Sequence, residues 1–372
     1  MSSIIEVLEK RRLIHPPSWL ADNIHYEVLM GSVAYGVSSD TSDMDVYGWG
    51  IPPKNMVFPH LDGEIYGFGR QKSRFEQFQQ HHVLFEDALG GKGRTYDLSI
   101  YNIVKYFQLC MDNNPNMVDS LFVPVECVLH STQIGNMVRE NRKLFLHKGC
   151  FQKFKGYAFS QWSKASNVSK DKSIVAIRAI EKKYDIPHST TLKEVEEETA
   201  DRCMMNEEGP GVPTNPLFDR VSYSEMLHYA HLYREGMQQT KRFESQKIHN
   251  TDVKFLYHIA RLVDECEQIL TLGDLDLQRS KEYMKAIRRG EVSEKEVKEW
   301  FNVKEKQLEE LYHREPSPIP YSPPEDKIKK LLLECLESHY GSLNNCILMP
   351  NAEKDIITEI QHIIDKYNYR KQ

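Results

Sequence analysis

The chain has 372 residues, 40% hydrophobic and 27% charged, with a formal net charge of −6; it is long enough for two domains and has an ordinary globular balance. No apolar run approaches the roughly 20 residues that span a bilayer, and the start, Met1-Ser-Ser-Ile-Ile-Glu-Val-Leu-Glu-Lys, carries acids and lacks the apolar core of a secretory signal. Seven scattered cysteines without a Cys-x-x-Cys pair argue against a zinc ribbon or a disulfide framework, and for free thiols in a reducing cytoplasm.

In chain order, Ile4 to Leu13 has the period of an amphipathic helix, stopped by Pro16-Pro17. His25 to Met30 reads as a short buried strand entering Gly31-Ser32. A turn-rich stretch from Val37 to Asp43 precedes Met44 to Ile51, which alternates as a strand does and ends at Pro52-Pro53. Tyr66 to Glu86 gives mixed signals, read as strand then helix. Gly90-Gly-Lys-Gly93 is a turn into a third strand, Arg94 to Leu98; it lacks the spacing of a Walker loop, though it can bring Lys92 or Arg94 near phosphates. Ile100 to Met111 is helical in spacing and stops near Asn113-Asn114-Pro115. After about Pro124 the strand signals fade, and Gly149 to Tyr184, Ser222 to Gln239, Asp252 to Leu272, Ser280 to Arg289, Ser293 to His313 and Glu325 to Tyr340 suit helices. Proline-rich loops lie near 206–216 and 316–324. The expected architecture is an α/β (α+β) domain with a short mixed sheet over residues 1–124, followed by a mainly helical domain over 125–372, with no internal repeat.

Charge is unevenly spread. Arg139 to Lys183 holds twelve Lys or Arg against three Asp or Glu, whereas Leu192 to Glu208 holds seven acids against two bases. The first stretch is a candidate phosphate patch and the second reads as a solvated surface excursion.

The chemistry concentrates in Gly31-Ser-Val-Ala-Tyr-Gly36 and Ser42-Asp-Met-Asp-Val-Tyr-Gly48. Side chains alternate along a strand, so Asp43 and Asp45 point to one face. Paired carboxylates repel unless a cation lies between them, and hard oxygen donors of this kind suit Mg²⁺, which keeps waters and accepts substrate phosphates. A third carboxylate on a neighbouring strand completes a site for two metals about 3.5–4 Å apart, and Asp97 after Thr95-Tyr96 is the best candidate. Gly31 lets a phosphate approach the backbone closely, and Ser32 adds a donor.

Gly31-Ser32, Tyr35-Gly36 and Ser42-Asp43-x-Asp45-x-x-Gly48 together resemble the signature of the DNA polymerase beta superfamily of nucleotidyltransferases. More closely, the chain is similar to the nucleotidyltransferases associated with RNA ligases in RNA-repair operons, and to their bacterial and phage relatives. The likeness continues through Tyr96-Asp97-Leu98, Lys105-Tyr106, Asn114-Pro115, Phe154-Lys-Gly-Tyr157, Lys254-x-x-x-His258-x-x-Arg261-Leu262 and Ile287 to Ser293. Asp119 stands where the resemblance leads one to expect glutamate. The resemblance implies that Asp43 and Asp45 bind two Mg²⁺ (or Mn²⁺) ions and that Asp97 orients or deprotonates the attacking hydroxyl. Gly31, Ser32 and Ser42 are the candidates to hold the NTP; the resemblance leaves the acceptor open, with an RNA end the leading choice on the basic 139–183 stretch and an RNA ligase a candidate functional partner.

Lys254, His258 and Arg261 fall on one helix face; Lys254 and Arg261 are candidates for the triphosphate and His258 for the acceptor, against a reading as salt bridges to Asp252 and Glu265. Lys153, Lys155 and Lys164, interleaved with Phe151, Phe154, Tyr157, Phe159 and Trp162, suit a nucleic-acid groove, or else a core face backed by solvated lysines. His81-His82 with Glu86, and His228 with His231, lack completing ligands for zinc. Two other functions fit the same residues: nucleotidylation of a small molecule or protein, and an inactive binding module, against which the intact carboxylates argue.

Overall fold

The computed structural model describes residues 2–38, 42–65, 67–69, 74–165, 171–204, 212–239 and 242–342, with 360, 361, 363 and 364. They form two compact units: Met1–Cys150 with Gln268–Arg279 and Glu315–Gln372, and Phe151–Glu267 with Ser280–Arg314. The first unit is discontinuous in sequence, since the segment from Glu315 returns to it.

The first unit begins with α1 (Ile4–Lys10), β1 (Ile24–Leu29), α2 (Gly31–Ala34), β2 (Met44–Gly50), α3 (Lys54–Val57) and β3 (Gln77–Phe85). It continues with α4 (Ala88–Gly91), β4 (Arg94–Asn102), α5 (Ile103–Met111), α6 (Pro115–Phe122), β5 (Val128–Ser131) and α7 (Gln133–Glu140). The five strands make one mixed sheet in the order β3-β4-β2-β1-β5, with β2 and β4 parallel and the other pairs antiparallel. The inner strands carry the apolar residues: Tyr26, Val28, Val46, Trp49, Leu98 and Ile100 are buried, and Trp49 lies between the rings of Tyr26 and Tyr106. The Glu27 carboxylate, wholly buried, ties α1 to the sheet by accepting Ser3 Oγ–H (2.7 Å) and the Ile4 (2.8 Å) and Ile5 (3.2 Å) N–H groups. These are the donors that a helix start leaves without intrahelical partners.

Several expectations are corrected here. β4 runs on to Asn102: Ile100 and Tyr101 pair with Gly48 and Trp49 on one side and with Phe78 and Gln77 on the other. The helix therefore starts at Ile103, where Asn102 caps it by accepting the Lys105 N–H at 2.7 Å. β3 is strand throughout Gln77–Phe85, polar because it is a sheet edge; Tyr66 and residues 70–73, at the start of that expectation, lie outside the described residues. β5 follows Pro124, where strand signals fade, and its half-buried edge position explains the weak pattern.

The second unit is helical: α8 (Cys150–Ala165) from Phe151 on, α9 (Lys172–Tyr184), α10 (Leu192–Met204), α11 (Tyr223–Gln239), α12 (Phe243–His249), α13 (Val253–Leu272) as far as Glu267, α14 (Lys281–Arg288) and α15 (Glu294–His313). Its core gathers Ile174, Ile177, Val195, Phe218, Tyr229, Tyr233 and Phe243. The acidic stretch read as a surface excursion is instead mostly α10. Glu198 and Arg202 on its inner face are buried and paired at 2.7 Å, and Arg202 also donates to the Phe218 and Val221 carbonyls. The helix α16 (Glu325–Tyr340) belongs to the first unit, packed on α5 and α7. His25 Nε2 and His339 Nδ1 lie 3.0 Å apart, and the Tyr340 hydroxyl donates to the Pro52 carbonyl.

Among the described residues no helix is long and apolar enough to cross a membrane. Of the described cysteines, Cys110, Cys127, Cys150, Cys266 and Cys335 are buried thiols and Cys203 is exposed.

Candidate functional site

The parallel pairing of β2 with β4 sets Asp45 directly opposite Asp97. Paired positions on adjacent strands share a face, so two carboxylates from segments far apart in sequence meet on one side of the sheet. Asp43 is exposed and lies one residue before β2; of the turn that leads to it, residues 39–41 lie outside the described residues.

Above Asp45 passes the turn from β1 into α2. The Met30 N–H donates to the Asp45 carbonyl at 2.7 Å, and Gly31 follows at φ +61°. A Cβ on Gly31 falls 1.9 Å from Asp45 Oδ2, so a side chain there collides with the carboxylate whatever its rotamer. The turn closes through Val37 N–H to the Ser32 carbonyl (2.9 Å), and Gln278 Nε2 donates to the Ala34 carbonyl (3.1 Å). Tyr35 donates its hydroxyl to Asp119 Oδ2 at 2.8 Å, and Asp119 is wholly buried. Asp119 thus supports the Gly31–Gly36 loop from beneath.

Asp97 has a second set of neighbours. Between Gln80 and Val83 the β3–β4 register shifts, and His82 takes φ +57° at this bulge. Its N–H donates to Asp97 Oδ1 at 2.7 Å, and the Nδ1 atoms of His81 and His82 stand 3.6 and 3.8 Å from the same oxygen. Bulges beside functional residues re-aim side chains in this way. The histidine doublet, weighed above with Glu86 for zinc, here surrounds a carboxylate.

In donor chemistry the residues fit Mg²⁺: hard carboxylate oxygens at 45 and 97 in register, a third at 43, and a glycine leaving room at Asp45 Oδ2. Among the described residues, however, no group of three or more His, Cys, Asp or Glu is gathered closely enough to hold an ion. Asp87, the other acid near this edge, pairs with Arg11 at 2.7 Å.

The remaining candidates lie in the second unit. On α13, Lys254 is exposed and Arg261 is buried with Glu265 at 3.3 Å. Asp252 caps α13, accepting the Lys254 N–H at 3.0 Å, and pairs with Arg242 at 3.1 Å. His258 is held well below the usual imidazole range by burial, and then by the charges of Arg261, Lys254, Arg288 and Arg242. On α8, Phe151 and Phe154 belong to the core, while Tyr157 and Phe159 are exposed. Lys155 pairs with Glu305 at 2.7 Å, Lys164 lies over the Phe255 ring at 5.8 Å, and Lys153 is exposed. Two residues along a helix turn about 200°, so Lys155 points away from Lys153 and Lys164; the three do not form one stripe.

The family model described as the RNA repair pathway DNA polymerase beta family matches residues 9–184. No curated protein and no solved structure matches the chain.

Proposed function

We propose, from the match of the RNA repair pathway DNA polymerase beta family to residues 9–184, that the chain is a metal-dependent nucleotidyltransferase moving a nucleotide from an NTP to an acceptor hydroxyl, with an RNA end as acceptor. The observation that supports this most is the in-register pair Asp45–Asp97 beneath the Gly31 turn.

In this reading Asp43, Asp45 and Asp97 hold two divalent ions, Mg²⁺ or Mn²⁺, and residues 1–124 supply the catalytic domain. When bound, the metal would neutralise negative charge on the phosphoryl oxygens of the transferred nucleotide and on the pyrophosphate that leaves as the acceptor oxygen bonds to the α-phosphorus. Gly31, Ser32 and Ser42 seat the triphosphate on backbone and hydroxyl donors. Asp97, with Oδ1 engaged by the His82 N–H, orients the attacking hydroxyl and takes its proton through Oδ2. Lys254 and Arg261 add positive charge for the triphosphate, and Lys153, Lys155, Lys164 and His258 are the acceptor-binding residues of the helical half, 125–372. Catalysis then rests on positioning and charge, as in phosphoryl transfer generally. An RNA ligase, which joins the ends such an enzyme prepares, is the expected functional partner.

The deciding experiment incubates the protein with each labelled NTP, Mg²⁺ or Mn²⁺, and RNA, DNA and protein acceptors in parallel. Label on RNA that Asp45→Ala removes is the expected result. Label on protein or a small molecule alone moves the acceptor to the other nucleotidylation reading, and no label with any combination overturns the enzyme assignment.

A further inference from the structure

The second unit assembles four cations around one helix ridge. At about 100° per residue, Lys254, His258 and Arg261 on α13 lie within roughly 60° of one another, with Phe255 on one flank and Tyr257 on the other. Arg242, from the segment before α12, lays its guanidinium 4.5 Å over the Phe255 ring, and Arg288, ending α14, lies 5.4 Å over the Tyr257 ring. The two arginines therefore flank the ridge from opposite sides. The C-terminal end of α12 also lies close to the end of α14, since a Cβ on Gly290 falls 2.0 Å from the His249 ring.

Carboxylates fix the orientation of two of these groups: Asp252 holds Arg242 and Glu265 holds Arg261. The aromatic faces fix the planes of Arg242 and Arg288. Guanidinium planes set in advance lose little freedom when they meet an anion, and planar N–H forks match phosphate oxygens. His258 sits at the centre of this field, where burial and the same four charges keep its imidazole neutral, so it offers a hydrogen bond without adding to the repulsion.

We propose that Arg242, Lys254, Arg261 and Arg288, arranged around His258, form a phosphate-binding site on the helical unit. The site deepens the reading above, which names Lys254 and Arg261 alone, and adds two arginines from separate elements. Its chemistry suits the terminal phosphates of a nucleoside triphosphate or the diesters of an RNA backbone, and the test has an arm for each.

Inorganic tripolyphosphate is titrated without divalent ion, so that the carboxylates of the first unit repel it, and a single-stranded RNA lacking a 5′ phosphate is titrated beside it. Arg288→Ala and Lys254→Ala should each weaken one of these probes about 10-fold or more, while Lys295→Ala, on an exposed face of α15, leaves both unchanged. Lys254 is exposed, so its variant keeps the test open if Arg288→Ala fails to fold; Arg288→Lys should recover part of the loss. Weakened tripolyphosphate binding with RNA unchanged assigns the site to terminal phosphates, and the reverse assigns it to the backbone. Binding of neither probe by the wild type, or no change in either variant, overturns the site. Neither probe requires turnover: tripolyphosphate binding without nucleotide transfer would sink the proposed activity and leave the site standing.

Discussion

Gly31 is the residue on which geometry presses hardest. Its φ of +61° is one that L side chains rarely adopt, and its missing Cβ makes room for Asp45 Oδ2. Gly31→Ala should therefore lose transfer activity by more than about 100-fold and stability by roughly 1–2 kcal/mol, read by single-turnover assay and thermal melt; a fully active alanine variant would remove the turn from the site. The carboxylates should behave in the opposite manner toward stability. Asp43→Ala and Asp45→Ala should abolish transfer while the melting temperature without metal holds or rises, because one repulsive partner is gone. Asp97→Asn should lower kcat far more than NTP affinity, since its proposed place is at the attacking hydroxyl. Normal turnover in that variant would send the third ligand elsewhere, and not to Asp119, which is buried beneath the loop on Tyr35, nor readily to Asp87, paired with Arg11.

At the scale of elements, the difference between neighbours on one helix matters most. Lys254 is exposed and Arg261 is buried on Glu265, although both share a face of α13. Lys254→Ala should weaken phosphate binding with stability unchanged, whereas Arg261→Ala strands a buried carboxylate and should cost about 3 kcal/mol as well. Equal melting curves for the two variants would contradict that burial. What was legible in the sequence follows the same division between local and distant causes. The strand bearing Asp45, the Gly31 turn and most helices were readable, because period and punctuation are local. Nothing in the sequence marks the register that faces Asp45 with Asp97, for pairing across some fifty residues leaves no local trace. Other features were illegible for definite reasons. β3 and β5 are edge strands with little apolar alternation; Ile100 and Tyr101 suit a helix as well as a strand; and His82 enters the site through its backbone, which no side-chain pattern reports.

For the whole molecule, pH and salt are the broad tests. Burial, and then the charges of His339 and His130, depress the His25 imidazole to about 4, and burial depresses His339 and His258 too. A depressed imidazole leaves the folded state with fewer bound protons than the unfolded one below the ordinary value of 6.5. Stability should thus be full above about pH 6.5 and fall as pH drops toward 4, by on the order of 3 kcal/mol from His25. Urea titrations across that window should show a shallower slope for His25→Gln; an identical slope would mean that His25 protonates freely in the fold. Salt dependence should be modest for a protein reading RNA. Of the basic run from Arg139 to Lys183, Lys143, Lys148, Lys155 and Lys183 bind acids and Arg139, Arg142 and Arg178 bind carbonyls. At about 0.7 log units per phosphate contact on a single strand, filter binding should give a slope of only two or three, and a slope near zero would remove RNA as acceptor. The discontinuity of the first unit has one more consequence, for synthesis. Its sheet is complete by Ser131, but α16, which packs on α5 and α7, is made only after the helical unit. A nascent chain must therefore carry an unfinished first unit while the helical unit is translated, and a product terminated after Arg314 should retain a folded helical unit yet transfer no nucleotide.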